Sequence, residues 1–359
     1  MKYNFQTILS LKFDIRNKMK STSYGYIMAL LLTAGRKNCS SMSREAGISR
    51  NILYEFLRSA DENIESMHKY LFNEARKLCD ENDDVVLIVD FTQLLKPYAY
   101  KIDSLCYDHN GCSNRVEKGI SLGVVALSSA KKRVTIPLDF NVWIQKKYAG
   151  DKYIKKNDLA KDFVREANKH FKFKYASFDG AFASKDFLKF LVEVNVKFVM
   201  RIPSNRCVSI ANKKAQQLRH APELKLIRNE REKRVEGVYK SMPFFFIGYK
   251  RKGKNDEMET VYLVGNMDIS AKEYVKSYSP RSLIEGFFRT GKQSLGIGQC
   301  QVLSGDKQKA HIFATFVAYV VLEQNKIANQ KKCPEDIINI LRDKNFTFND
   351  IDPCDTAQS

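Results

Sequence analysis

The chain has 359 residues, and 60 lysines and arginines outnumber 41 acidic residues to give a formal net charge of +19. This length exceeds that of a typical single domain, so we expect two or three structural units. A protein this basic usually binds a polyanion, most commonly nucleic acid. The longest apolar run in the first third, residues 27–32, is too short to span a bilayer, which argues against a membrane protein.

The eight cysteines do not form a disulfide framework. Cys106, His109 and Cys112 raise the possibility of a zinc site, but no second pair follows at the spacing of a zinc finger. The N-terminal residues also lack a cleavable signal pattern. We therefore expect reduced thiols in a cytoplasmic protein.

Residues 1–80 are predicted to form a helical domain. A short helix over residues 41–46, a turn at Gly47 and a second short helix are typical of a helix-turn-helix, although plain helical hairpins share this pattern. In so basic a chain, the residues that open the second helix are candidate DNA contacts. These residues are Ser49, Arg50 and Asn51.

The hydrophobic period changes near residue 83. The continuous apolar run DDVVLIVDF predicts a buried central strand that ends at Asp90. A hairpin with a turn at residues 131–132 follows, and then a helix capped by Asn157, a strand ending at Asp179, a helix capped by Ser184 and a strand over residues 197–202. This order predicts an α/β fold with a mixed sheet and flanking helices.

The remaining segments complete a domain over residues 81–330. Residues 203–272 are rich in lysine and arginine and predict a β-rich insertion. A helix with Ser279 as N-cap and Pro280 at its first position follows, and then an apolar helix. Residues 331–359 are predicted to form a polar, loosely ordered tail.

One face of the helix after the insertion is unusually charged. Offsets of four and seven residues return to the same side of a helix, so one acid and three bases share that face. Such a face suits metal and phosphate, although a solvated face with ion pairs is the alternative. The candidate residues of this segment are Tyr278, Arg281, Glu285, Arg289, Lys292 and Gln293.

Three carboxylates are candidates for a metal site. Asp90 and Asp179 each end a predicted strand, which is where ligands collect in α/β sheets, although a lone aspartate there is more often a cap or turn residue. Together with Glu285 they offer the oxygen ligands that Mg²⁺ or Mn²⁺ prefers. Such a site performs two-metal phosphoryl transfer without a nucleophilic side chain, and the chain has no P-loop sequence.

A family resemblance rests on the spacing Y-x2-R-x3-E-x6-K, which Tyr278, Arg281, Glu285 and Lys292 match in full. The segments LIVDFTQ, YDHNGCSNRVEKGISLGVVAL, MRIPSNR and IEGFFRTGKQSLGIGQCQV agree with it. The chain resembles the insertion-sequence DDE transposases that carry this signature. The resemblance extends to about Asn325 and therefore covers nearly the whole chain.

This resemblance implies an RNase H-like catalytic domain with an N-terminal DNA-binding domain and a β-rich insertion before the last catalytic helix. It implies that Asp90, Asp179 and Glu285 are both catalytic and metal-binding residues. Mg²⁺ is the implied cofactor, and Mn²⁺ can replace it. Tyr278, Arg281 and Lys292 are implied to contact the DNA near the cleaved phosphate. Arg289 falls where the family often has a basic residue.

The resemblance also implies how such an enzyme acts. Its members are bacterial, nucleoid-associated when acting, and cut and paste DNA through hairpins at the transposon ends. A homodimer pairs two terminal inverted repeats of double-stranded DNA and joins them to target DNA. Two rivals remain open: a DNA-binding regulator or inactive remnant, and an RNase H-like nuclease that only hydrolyses. Inverted repeats around the coding sequence would separate the three.

Further residues carry weaker expectations. Relatives stack a flipped base on a tryptophan of the insertion, but Trp143 lies outside it; a phenylalanine of residues 244–246 is a substitute, with hairpin packing as the alternative. The other expectations concern the surroundings of the site. Thr92 and Gln93 are expected to position Asp90, Asn205 and Arg206 to touch phosphate, and His109 and Lys118 to lie in a solvated loop.

Overall fold

The computed structural model describes residues 18–111, 113–253 and 256–342. Residues 1–17 of the predicted helical domain, Cys112 and residues 343–359 of the predicted tail lie outside them. The described helices are α1 (Ser21–Leu32), α2 (Cys39–Ala46), α3 (Arg50–Arg58), α4 (Ala60–Glu81), α5 (Lys146–Ala149), α6 (Lys156–His170), α7 (Lys185–Glu193), α8 (Ala271–Tyr278), α9 (Ser282–Gln293), α10 (Gly305–Ala328) and α11 (Pro334–Arg342). The described strands are β1 (Val85–Leu95), β2 (Cys106–Asn110), β3 (Arg115–Ser129), β4 (Val134–Trp143), β5 (Tyr175–Phe178), β6 (Phe198–Ile202), β7 (Cys207–Ile210), β8 (Gln216–Gln217), β9 (Glu232–Tyr239), β10 (Met242–Lys252) and β11 (Met258–Gly265).

One mixed sheet organises the molecule, in the order β2-β3-β1-β5-β6-β11-β10-β9-β7-β8, with β4 paired to β3. Strand β3 is antiparallel to β1 and to β4, whereas β1, β5 and β6 are mutually parallel. The Lys131–Lys132 turn joins β3 to β4, as the sequence predicts. Three antiparallel strands followed by two parallel ones are consistent with an RNase H-like fold.

The basic segment after β6 extends this sheet. Strand β11 is antiparallel to β6, with Tyr262 beside Ile202 and Gly265 beside Val199. Strands β10 and β9 continue from β11 by antiparallel pairing. The insertion is therefore built mainly of strands, and its last strand lies against the core of the sheet.

The N-terminal helices share the hydrophobic core of the sheet. Helix α10 packs against α1, α4 and β4, and every residue from 310 to 323 is buried. The Tyr26 ring stacks on Phe56, with 4.1 Å between the centroids, and its hydroxyl is hydrogen-bonded to His311 of α10. These contacts place α1, α3 and α10 in one apolar core, which the sequence pattern alone does not predict.

None of the described helices is long and apolar enough to cross a membrane.

The predicted polar tail is wrong for residues 334–342. They form α11, and Ile337, Ile338 and Leu341 of this helix are buried at helical spacing. Arg342 donates hydrogen bonds to the carbonyl oxygens of Leu31 and Ser294. The polar residues around these few apolar positions conceal the amphipathic pattern.

Two predicted helix starts are also wrong. The N-cap is Ser270 of α8, which forms a capping box with Glu273, whereas Ser279 has a helical backbone (φ −59°, ψ −36°). Residues 279–281 form a 3₁₀ turn that links α8 to α9, and Pro280 lies inside it. Asn157 likewise lies within α6, where its side-chain amide donates to Ser184. The predicted caps at Ser49 and Ser184 are confirmed by hydrogen bonds from Asn51 and Phe187.

Candidate active site

Strand register brings the two aspartates side by side. Val89 of β1 pairs with Phe178 of the parallel strand β5, so Asp90 and Asp179 are the next residues of neighbouring strands. Asp179 follows the end of β5, as predicted, but Asp90 is not at a strand end. Strand β1 continues to Leu95 because β3 is long enough to pair with its whole length. Asp90 therefore lies where β5 ends and β1 continues.

Helix α9 supplies the third carboxylate. Its buried residues Ile284 and Phe287 face the core, and Glu285 lies on the opposite, exposed side. This side borders a cleft of about 590 Å³. The predicted residues that line this cleft are Asp90, Thr92, Gln93, His109, Asp179, Arg281, Glu285, Arg289, Lys292 and Gln293. The face predicted from helical spacing thus meets both aspartates in one cleft.

Arg281 connects two of the three carboxylates. One terminal nitrogen donates to Glu285, and the other lies 3.0 Å from an oxygen of Asp90. The side chains of Arg281 and Asp90 are only 16% and 15% exposed, whereas that of Glu285 is 57% exposed. Burial raises the pKa of Asp90 to about 6, although the Arg281 charge opposes this rise. Burial disfavours the Arg281 cation too, but nearby anionic groups, Asp90 foremost, outweigh it and raise the pKa.

The same arrangement bears on metal binding. No group of three histidine, cysteine, aspartate or glutamate side chains in the described ranges 18–111, 113–253 and 256–342 is placed to hold a metal ion. The Arg281 guanidinium instead supplies positive charge between Asp90 and Glu285. The guanidinium therefore occupies the space between the two carboxylates as a cation. The oxygens of Asp90 and Glu285 are also the kind of ligand that Mg²⁺ prefers.

A second ion pair lies at the rim of the cleft, and sequence reasoning missed it. Asp108 of β2 accepts hydrogen bonds of 2.6 Å from both Lys156 and Ser121. The Lys156 ammonium also lies 4.5 Å from the centroid of the Trp143 indole and 5.4 Å from that of Phe91. These residues come from β1, β2, β3, β4 and α6, so their separation in the chain hides the cluster. The one sequence signal of this cluster is Lys156, a basic residue at the start of α6.

The loop predicted for residues 109 and 118 is wrong, although His109 is exposed, as predicted. His109 lies on β2, opposite Val116, and lines the cleft; its ring is 3.2 Å from Asn114. Lys118 lies on β3 with its ammonium above the Tyr100 ring. The run YDHN gives no strand signal because its residues are polar, and its pairing with β3 makes it a strand. Cys106 is buried and donates to the Trp143 carbonyl, while Cys112 lies outside the described residues.

Several other predicted DNA-contact residues are packed against neighbouring side chains. Tyr278 is half-buried beside Arg281 and Asp179, where burial raises its pKa to about 12, and it is not among the residues lining the cleft. Phe244 and Phe246 are buried, as the packing alternative predicts, and the Arg234 guanidinium lies 4.1 Å from the Phe245 ring centroid.

Two sets of predicted DNA contacts are exposed and are not among the residues lining the cleft. Asn205 and Arg206 lie in the turn that begins the insertion. Ser49, Arg50 and Asn51 are exposed at the start of α3, and Gly47 forms the preceding turn with a φ of 69°. The two short helices predicted for residues 41–58 are present, and the role of the three residues remains a prediction.

Comparison with known families identifies the domain that contains this site. Residues 140–321 match the model of the transposase DDE domain family. The chain belongs to this family. The match includes Asp179, Glu285 and the whole insertion, and it begins after Asp90. A comparison with curated proteins returns no match. The protein is thus a DDE transposase of DNA recombination, and the resemblance read from the signature residues is confirmed.

Proposed function

We propose that this transposase cleaves DNA at transposon ends and joins the ends to target DNA in a metal-dependent reaction. The observation that carries the proposal is the cleft in which Asp90, Asp179 and Glu285 meet beneath basic residues of α9. Asp90 and Asp179 each follow directly a residue of the paired β1–β5 ladder, Val89 and Phe178, so their spacing is held rigidly. Glu285 is more exposed and comes from the facing helix.

The three carboxylates would hold Mg²⁺, for which Mn²⁺ can substitute. Their fit rests on the oxygen donor set and on the positive charge that Arg281 already places between two of them. When bound, the metal would activate a water or 3′-hydroxyl and stabilise the leaving oxygen. Asp90 is largely buried, so its charge is little screened by solvent and attracts a cation strongly.

The basic residues of α9 would hold the DNA. Lys292 and Arg289 are exposed along the cleft, where they can meet the phosphates on either side of the cleaved bond. Arg281 offers two parallel N–H donors, which match a phosphate as well as a carboxylate. We infer that DNA phosphate draws Arg281 away from Asp90 and Glu285, which frees both carboxylates for metal.

End recognition is assigned to α2 and α3. Arg50 and Asn51 are exposed at the start of α3, the position from which a recognition helix contacts base edges. Deleting the N-terminal helices is a poor test because α1 and α4 pack on α10. The pair Arg50→Ala and Asn51→Ala in the full chain should weaken binding to cognate ends more than to scrambled DNA in a gel-shift titration. Equal losses on both DNAs would contradict this assignment.

The mode of transposition is proposed from the signature residues. We infer cut-and-paste transposition through hairpin ends by a homodimer that pairs two ends. The test is incubation of the protein with a plasmid that carries inverted terminal repeats, in Mg²⁺, followed by sequencing of ends and joints. Hairpin ends and joined target DNA are expected. Cleavage without joining would favour the nuclease, and binding without cleavage would favour the regulator.

A further inference from the structure

Two tyrosines between β1 and β2, the strands that supply Asp90 and Asp108 to the cleft, are exposed to an unusual degree. Tyr98 and Tyr100, in the connection between β1 and β2, are 88% and 84% exposed. A tyrosine usually buries part of its ring, because the ring contributes a large apolar area. Rings this open leave their faces available to another flat group.

Lysines accompany the exposed rings. The Lys118 ammonium lies 4.2 Å from the Tyr100 ring centroid. Lys147 of α5 lies 5.6 Å from the ring centroid of Tyr107 and 4.7 Å from that of Tyr148, both of which are exposed. Tyr107 and Lys118 are directly opposed in the β2–β3 ladder, so the two groups share one face of the hairpin. We call Tyr100, Tyr107, Lys118, Lys147 and Tyr148, together with Tyr98 two positions before Tyr100 in the same connection, the tyrosine–lysine surface.

This surface adjoins the cleft through the β2–β3 hairpin. Residue Asp108 follows Tyr107 in β2, and successive strand residues point to opposite faces. Asp108, His109 and Asn110 line the cleft with Asp90 and Asp179. Strand β2 is at the edge of the sheet, so a DNA strand that leaves the cleft past this edge would meet the tyrosine–lysine surface.

We propose that the tyrosine–lysine surface binds unpaired nucleotides of a DNA strand next to the cleft. Exposed aromatic rings stack on bases of any sequence, and neighbouring lysines pair with the phosphates between them. Duplex DNA fits less well, because its bases are stacked on each other and offer no free face. A second copy of the chain fits less well too, because each copy carries a formal net charge of +19 and would repel Lys118 and Lys147.

The test measures binding of the full-length protein, in EDTA, to a duplex with a ten-nucleotide single-stranded arm and to the same duplex with blunt ends. The double variant Tyr98→Leu/Tyr100→Leu removes the rings. The matched control Tyr98→Phe/Tyr100→Phe keeps the ring faces and removes only the hydroxyls. A 2-aminopurine base in the arm reports stacking by its fluorescence.

The parent and the phenylalanine variant should bind the armed duplex more tightly and quench the fluorescent base. The leucine variant should lose about tenfold in affinity for the armed duplex and less than twofold for the blunt duplex. Equal losses on both duplexes, no preference of the parent for the arm, or a change only in self-association would each overturn the proposal. The inference goes beyond cleavage and joining, and it is independent of their outcome because the assay contains no divalent metal.

Discussion

Cationic side chains have different partners in the cleft and in the segment that follows α9. In the cleft, Arg281 and Lys156 meet the carboxylates of Asp90, Glu285 and Asp108. In residues 294–302, which we call the post-helix loop, cations from other elements meet backbone carbonyls.

At the post-helix loop, Lys96 donates to the Cys300 carbonyl and Arg342 to that of Ser294. His311 lies 2.9 Å from the Gly296 carbonyl, so its Nε2 donates and its Nδ1 accepts from Tyr26. Burial lowers the pKa of His311 to about 4 and that of Arg342 to about 10. A carboxylate can exchange its cation for metal, whereas these carbonyls are held by the fold. The ion pairs in the cleft are therefore open to exchange, whereas the hydrogen bonds at the post-helix loop stabilise the fold.

The largest expected effect is on catalysis in the cleft. Asp179→Asn removes the negative charge of one proposed metal ligand while keeping the side-chain shape. Strand cleavage in Mg²⁺ should fall by about a thousandfold or more, which corresponds to about 4 kcal/mol in the barrier. End binding by gel shift should change little, because lysines and arginines supply most of the affinity. Cleavage at the parent's rate would exclude Asp179 from the site.

A large effect on stability is expected at the post-helix loop. The folded protein prefers neutral His311, so stability is full above the unfolded pKa of 6.5 and falls as the pH drops towards about 4. The loss reaches up to about 3 kcal/mol. Urea unfolding at pH 7 and pH 5 measures it. His311→Gln should lower stability at pH 7 and flatten the pH dependence, whereas exposed His220→Gln should do neither. An unchanged pH dependence in His311→Gln would contradict this reading.

Arg281 provides a direct test of exchange in the cleft. Arg281→Gln removes the cation between Asp90 and Glu285, so Mn²⁺ should bind the DNA-free protein about tenfold more tightly by calorimetry, or about 1.4 kcal/mol. The control is Arg289→Gln, because Arg289 also lines the cleft but pairs with Glu335, 3.9 Å away, rather than with Asp90 or Glu285. Weaker or unchanged Mn²⁺ affinity in Arg281→Gln would show that the arginine does not compete with metal.

The smallest expected effect concerns a single phosphate contact. Lys292→Ala should reduce the slope of log affinity against log salt by about 0.9 for cleaved DNA ends, and it should slow strand transfer. Fluorescence anisotropy at several salt concentrations measures the slope. Lys309→Ala removes an exposed lysine that pairs with Asp306 outside the cleft, and its slope should stay closer to the parent's. Equal slopes for all three proteins would leave the α9 face as a solvated surface.

Elements with local sequence signals could be predicted from the chain before its fold was known. The apolar run before Asp90, the turn between β3 and β4, the caps at Ser49 and Ser184 and the charged face of α9 all follow from spacing within one segment. Helical and strand periods place neighbours along the chain on a known side, so these predictions need no partner.

Which of these segments come together depends on long-range pairing that only the folded chain shows. Asp90 and Asp179 are adjacent because β1 pairs with β5, and Arg281 contacts Asp90 across 191 positions of sequence. The polar run around Asp108 becomes a strand, and residues 334–342 become a buried helix, because partners far along the chain supply their hydrogen bonds and apolar contacts. No local period records such partners, so the arginine between two catalytic candidates is visible only in the folded chain.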